Sequence, residues 1–510
     1  MEKEIKHIVI IGGGSAGWLS AGLLAAEHRE HLKITVIESP QVASIGVGEG
    51  TWPSMRNTLQ RIGINENDFI ASCDVSFKQG SQFINWCDNT PDDNYYHPFM
   101  TPEGYGHIDL HAAWQQQQPN RPFSSFVNHQ SDICQAGLAP KQQSTPPFAA
   151  VTNYGYHLDA TKFSALLSKH CIEQLQVEHI SAHIISINND VDGYIKAITT
   201  QSQAIIEGDL FIDCSGMSGL LIEKHYAIKM QSQQHILFND RALAVQVPYN
   251  DLNDPIATTT LSTAQPAGWI WDIGLPNRRG TGYVYASKYC SEQEAKATLT
   301  QYLADSIGKE KANELTFKSI SFEPGYREKF WHKNCLAIGM SSGFIEPLEA
   351  SALAMVELSI SMLSEQLPRN RAHMEILAQR FNSRFEYRWQ RVIEFLKLHY
   401  VLSQRQDSCY WQDNRTEQSI PPRLHELLTL WQTQPPSRYD FIENEEIFPS
   451  ASYQYILYGM GFETKPQPMN SKTQQLSCAL VKNNNSKIEQ CIAGLPNNRT
   501  LIQSIVKASI

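Results

Sequence analysis

Ile8-Val9-Ile10-Ile11-Gly12-Gly13-Gly14-Ser15-Ala16-Gly17-Trp18-Leu19-Ser20-Ala21 is the stretch that decides the fold. The β-branched run suits a parallel strand buried on both faces. The glycines break it, and an Ala/Leu-rich helix follows through about Ala26. Ile34-Thr35-Val36-Ile37 reads as a second strand ending at Glu38, which completes a βαβ unit. In Gly12-x-Gly14-x-x-Gly17 the first glycine permits the sharp turn, the second lets a pyrophosphate approach the backbone, and the third allows close helix–strand packing. The first helical amides, at Ser15 and Ala16, then face the phosphates. Glu38, about twenty residues on, is placed to bond ribose hydroxyls. A glycine-rich turn without a ligand is the bland alternative, but strand, helix and terminal acid all agree on a nucleotide.

The chain has 510 residues, enough for a core that divides into more than one domain. A net charge of −10 gives no general attraction for nucleic acid or an anionic membrane surface. Met1–His7 lacks the apolar core and cleavage site of a signal peptide, and no apolar run reaches bilayer-spanning length, so the expected location is the cytoplasm. The ten cysteines include no CxxC pair, so no metal site is signalled and free thiols are expected.

The expected architecture is α/β (α+β overall): a Rossmann-like nucleotide domain with an intertwined substrate region and a mainly helical C-terminal part. The nucleotide core spans 1–87 plus 148–365, with embedded β-rich substrate elements. Residues 88–147, rich in Pro, Gln, Asn and aromatics, read as an irregular substrate-side insertion. Residues 366–510 read as a mainly helical substrate or lid region, with Met374–Tyr400 the clearest helix and a polar, Asn/Gln-rich end that periodicity does not place.

Two distant turns bear on which nucleotide binds. Asp213-Cys214-Ser215-Gly216 follows the buried strand Leu210–Asp213, and Gly339-Met340-Ser341-Ser342-Gly343 follows Cys335–Ile338. Each alone is as well read as a plain strand-to-helix connection. Together they suit an extended FAD, contacted at Gly339 and Gly343, better than a self-contained NAD unit. No second glycine fingerprint for NAD(P)H is present, so reduced flavin is expected from a separate reductase.

Four further segments carry a family resemblance. They are Gly46-Val47-Gly48-Glu49-Gly50-Thr51-Trp52-Pro53-Ser54, Phe77-Lys78 with Phe83-Ile84-Asn85-Trp86, Trp269-Ile270-Trp271-Asp272-Ile273, and Gly343-Phe344-Ile345-Glu346-Pro347-Leu348-Glu349. In order and spacing, from the first strand to about Tyr400, the chain resembles the flavin-dependent tryptophan halogenases, whose fold is of the flavin monooxygenase type. The resemblance implies that FADH2 and oxygen form a C4a-hydroperoxide, that chloride or bromide attacks it to give hypohalous acid, and that the acid is relayed to Lys78. Val47 would contact the flavin, and Ser351 and Ala352 would hold the halide. Trp269 and Trp271 would stand between flavin and substrate.

Glu349 would stabilise the cationic ring intermediate and help remove its proton, with Glu346 a weaker candidate. His97 and Phe99 would line an indole, tryptophan or phenol-type substrate, free or carrier-bound. Bland alternatives stand beside these roles: a snorkelling Lys78, a helix-start carboxylate at Glu349 and core strand residues at the tryptophans. The sequence departs from the family at Gly274, where proline is usual, and at Ser351-Ala352, where Thr-Gly is usual. Around Ser452–Tyr455 no aromatic–carboxylate clamp for an amino-acid end is matched. An aromatic hydroxylase and a non-catalytic flavoprotein are the competing readings. The reductase need form no stable complex, and a homodimer is admitted.

Overall fold

The computed structural model describes residues 4–41, 48–465 and 467–509. Its organising layer is a six-stranded sheet in the order Trp331–His332, Cys335–Ala337, Leu210–Asp213, His7–Ile11, Lys33–Glu38, Glu178–Ser181. All neighbours are parallel except the pair at the Trp331 edge. Ile11 lies opposite both Ile37 and Asp213, and Asp213 opposite Ala337. The turns that follow these strands therefore open on one end of the sheet, the usual place for a nucleotide in an open parallel sheet. The helix Ser15–His28 leaves the glycine turn and is buried from Gly17 to Ala25.

A second, seven-stranded sheet runs Lys318–Ser321, Arg241–Pro248, Arg278–Tyr285, Gly268–Gly274, Thr260–Gln265, Gly80–Ile84, Asn94–Pro98. Alternation divides its central strand. Ile270 packs with Tyr283 and Tyr285 over the helix Glu292–Ile307, whereas Trp269, Trp271 and Ile273 join the main core. A three-stranded sheet of Gly48–Gly50, Gly155–Asp159 and Ser76–Lys78 stands beside it. The chain passes from Lys78 through Gln79 straight into the strand Gly80–Ile84, so Lys78 lies where two sheets meet.

Residues 88–147 contain more regular structure than their composition suggests: the strand Asn94–Pro98 and the helices Leu110–Gln117, Phe123–Val127 and Gln130–Gln135. Helices this short carry too few turns for a periodic signal. After residue 366 the chain is mainly helical, led by Arg371–Leu402, and the polar end forms Ser471–Gly494 and Asn498–Ser509. Among the described residues no helix is long and apolar enough to cross a membrane.

Candidate active site

The glycine turn has the shape its spacing predicts. Gly12 has φ +115°, and a Cβ there would stand 2.2 Å from the Cys214 carbonyl oxygen. A Cβ on Gly17 would stand 1.9 Å from the Gly12 carbonyl oxygen, so helix and strand touch backbone to backbone. Gly14, by contrast, faces open space, and no side chain caps the helix start that it precedes. Glu38 reaches the same turn, since its carboxyl carbon lies 2.1 Å from where a Cβ on Gly13 would sit, and His179 Nε2 is 3.2 Å from its carboxylate. Ala16 packs on Gly339, and the Ser15 hydroxyl bonds that of Ser164 at 3.1 Å.

The Asp213 and Gly339 turns are both drawn to this place: Ile338 N–H donates to the Asp213 carbonyl, as does the Ser341 hydroxyl. The Asp213 carboxylate is spent internally on the amides of Ser215, Leu221 and Ile222. Gly343 is bare for packing: a Cβ there would meet the Gly325 carbonyl and the Trp389 ring, both at 2.8 Å. Val47 lies outside the described residues. An uncapped helix start facing open space, ringed by three turns, fits the phosphates of a dinucleotide.

Lys78 is 0% exposed, and its ammonium has no hydrogen-bond partner among the described residues. It lies 5.5 Å from the centre of the Phe99 ring. Gly50 leaves room for it, because a Cβ there would stand 3.1 Å from Lys78 Nζ and 3.3 Å from Ala350 Cβ. Burial lowers the Lys78 pKa to about 8, with the Glu349 charge pulling the other way. The same burial, reinforced by Lys78, keeps His157 well below the usual imidazole range.

Glu349 is buried and held on all sides. Its carboxylate accepts from the Ser81 hydroxyl at 3.0 Å, stands 2.7 Å from His97 Nδ1 and lies 3.6 Å from His399 Nε2. The other His399 nitrogen meets the Tyr95 hydroxyl at 2.8 Å. Burial disfavours the carboxylate charge, but His97 and His399 outweigh it and hold the group well below the ordinary carboxyl range. Its backbone is left-handed at φ 65°, as is that of Ala350 at φ 54°, a conformation that costs about 1–3 kcal/mol per non-glycine residue. The Trp52 indole N–H secures it by donating to the Glu349 carbonyl at 2.8 Å. The helix Ser351–Glu365 starts there without a side-chain cap, Ser351 buried and Ala352 exposed.

Glu346 points elsewhere: its carboxylate accepts from Trp269 Nε1, Asn239 and Tyr400. Trp269 and Trp271 are both buried, 6.4 Å apart between ring centres. Trp271 packs against Gly282, where a Cβ would come within 2.1 Å of its ring. Gly274, at the family's proline position, does not loosen this strand, because its carbonyl accepts from the Ser76 hydroxyl at 2.5 Å and its backbone stays in register with Arg279. Thus Lys78, Phe99, His97 and Glu349 come together, joined by Ser81, His399, Tyr95, His157 and Gly50, which sequence reasoning did not single out. Ser81 had one readable signal, its place beside Gly80 on a strand leaving Lys78; the histidines had none.

The sequence profile of the family described as tryptophan halogenase matches residues 7–475. Tryptophan 6-halogenase of Streptomyces toxytricini is 31% identical over 483 residues, 90% of each chain. The structure of a tryptophan halogenase from Shewanella frigidimarina superposes with a TM-score of 0.96 at 49% identity, covering 99% of this chain and 98% of that one. A flavin-dependent halogenase from Brevundimonas gives a TM-score of 0.86 at 31% identity, covering 98% and 99%. Fold and site define an oxidoreductase that works with a flavin. The chain belongs to the tryptophan halogenase family. It is an enzyme, a flavin-dependent halogenase of aromatic substrates.

Proposed function

We propose that this enzyme transfers an electrophilic halogen from Lys78 to an indole- or phenol-type ring held against Glu349. The observation that carries the reading is the Lys78 ammonium group, fully buried, without a hydrogen-bond partner among the described residues and close enough to Glu349 to feel its charge. Reduced FAD, once bound and with oxygen and a halide ion, supplies hypohalous acid. In this reading the helix start at Ser15 and Ala16 binds the phosphates and Glu38 the ribose. The amides of Ser351 and Ala352, with the Ser351 hydroxyl, hold the halide, since unbonded amides at a helix start carry partial positive charge. Trp269 and Trp271 keep the substrate ring away from the flavin.

The neutral Lys78 amine takes the halogen from hypohalous acid, forming an N–halogen bond and releasing water. The substrate ring then attacks the halogen, and the Lys78 nitrogen keeps the electron pair of the broken bond. Glu349, held anionic by its two histidines, stabilises the ring cation and receives its proton, while the Lys78 nitrogen takes up a proton from solvent as the N–halogen bond breaks and so leaves as the neutral amine. A carboxylate of low pKa is a weak base, but a protonated arene is acidic enough to need no stronger one. His97 and Phe99 form aromatic walls, with Tyr455 6.1 Å from His97. The relatives' names make tryptophan the first substrate to test, ahead of free or carrier-bound indoles and phenols. A separate cytoplasmic reductase is the proposed source of reduced flavin, in keeping with ten unpaired cysteines.

The test supplies bromide and reduced flavin from a generic reductase and follows mass gain on tryptophan, indoles and phenols against pH. If the neutral amine is the carrier, bromination rises with pH through about 8, where half of Lys78 is deprotonated, and then levels off. A rate that falls through that range would mean that the ammonium form is the working one and would reject the N–halogen step.

A further inference from the structure

Glu346, three residues before Glu349, belongs to a polar cluster that the chemistry above leaves unused. It is 1% exposed, and both carboxylate oxygens are occupied. One accepts from Trp269 Nε1 at 2.7 Å and Asn239 Nδ2 at 2.5 Å, and the Tyr400 hydroxyl lies 2.9 Å from each oxygen. The amide of Asn239 is itself oriented, because the Tyr410 hydroxyl donates to its Oδ1 at 3.0 Å. Lys397, held by the Ile236 carbonyl and Asn414 Oδ1, lies on the same side; burial lowers its pKa to about 7, with the Glu346 charge pulling the other way. Every direct partner of Glu346 is a donor, so the site calls for an acceptor-only group, which among side chains means a carboxylate. Trp269 is packed in the main core, with Trp86 tilted and Trp271 edge-on at 6.4 Å between centres, neither of them stacked on it, so the bond to Glu346 is what fixes the direction of its N–H edge.

We infer that Glu346 is a positioning residue: it pins the indole edge of Trp269 and so fixes the wall between flavin and substrate. It is not a second acid at the reacting ring. The inference rests on the barrier reading above and adds to it the device that holds the barrier closed. A loosened ring would let hypohalous acid escape or let substrate approach the flavin, and both lower the yield per flavin without weakening substrate binding.

The measurement is product formed per flavin oxidised, with leaked hypohalous acid trapped by a thioether in solution, for wild type, Glu346→Gln, Trp269→Phe and the double variant. Trp269→Phe should lower coupling about tenfold, as expected when a reacting partner is displaced by part of an ångström. Glu346→Gln should approach the same loss, with KM for the aromatic unchanged, and should add nothing in the Trp269→Phe background. A full further loss in the double variant would show that Glu346 acts independently of Trp269 and overturn the proposal. Normal coupling in Glu346→Gln beside impaired coupling in Trp269→Phe would overturn it too. Normal coupling in Trp269→Phe would instead remove the barrier reading itself. Should Glu346→Gln not fold, Tyr400→Phe takes its place, since it removes one donor to the carboxylate and keeps the ring. A smaller loss of coupling in the same direction supports the proposal, and none opposes it.

Discussion

Lys78→Met is expected to abolish halogenation and, at the same time, to make the protein more stable. The side chains are similar in length, so the packing around residue 78 is kept while the amine is lost. Bromination should fall by at least about 10³-fold, the scale on which loss of a covalent carrier is usually felt, whereas flavin binding and oxygen consumption persist and hypohalous acid appears in solution. The stability gain follows from the depressed pKa. In the unfolded chain the amine keeps its proton to about 10.5, but in the folded chain it gives it up near 8. Wild-type stability from this group is therefore fully present above 10.5 and lost as pH falls toward 8, by about 3 kcal/mol in all. Methionine has no such dependence, so its advantage in Tm should be largest below pH 8 and shrink in alkaline buffer. A variant that still halogenates within a few-fold of wild type would end the assignment of Lys78. A Tm gap independent of pH would refute the buried, depressed amine.

Glu349→Gln has the second large effect. The amide keeps the size of the side chain and can still accept from Ser81, but it removes the negative charge facing the ring cation. Loss of one preorganised electrostatic partner of this kind costs about 10²–10³ in kcat. KM should change little, because the charge matters only after the halogen has begun to transfer. His399, whose protonated form the carboxylate favours against burial, should titrate at lower pH in the variant, which NMR of the imidazole can follow. A rise in KM with kcat preserved would make Glu349 a substrate-binding group and not a stabiliser of the transition state.

How much of this was legible beforehand depends on sequence distance. The glycine turn, its helix and Glu38 lie within one βαβ unit, so local spacing carries their geometry. Lys78 and Glu349 were reached only by resemblance to a family, because a lone lysine after Phe77 and a lone glutamate after Leu348 have ordinary readings by themselves. Ser81, Tyr95 and His399 escaped notice: they meet Glu349 or one another across spans such as 268 and 304 residues, which no periodic pattern encodes. Glu346 illustrates a subtler limit. Its motif marked it as important, but the two acids, three residues apart, meet different partners, and the left-handed backbone at Glu349 and Ala350 that sets the second one is not encoded in the spacing. Gly343 also meets a packing demand that the sequence does not display, the close approach of the Gly325 carbonyl and the Trp389 ring. The Asn/Gln-rich end was unreadable because the helix Ser471–Gly494 buries only a narrow stripe, at Ser477, Val481, Asn484 and Cys491.

The helix Arg371–Leu402 delivers His399 to Glu349 and Tyr400 to Glu346 from consecutive positions. Residues one apart on a helix point about 100° from each other, so a single rigid rod services two carboxylates in two compartments. Laboratory evolution aimed at new substrates or regiochemistry would therefore gain little freedom from the last turn of that rod, where any shift retunes acid and partition together. Phe99, which is supplied by another segment and makes no bond to either acid, is the position to vary first, whereas His97 is tied to Glu349 as His399 is.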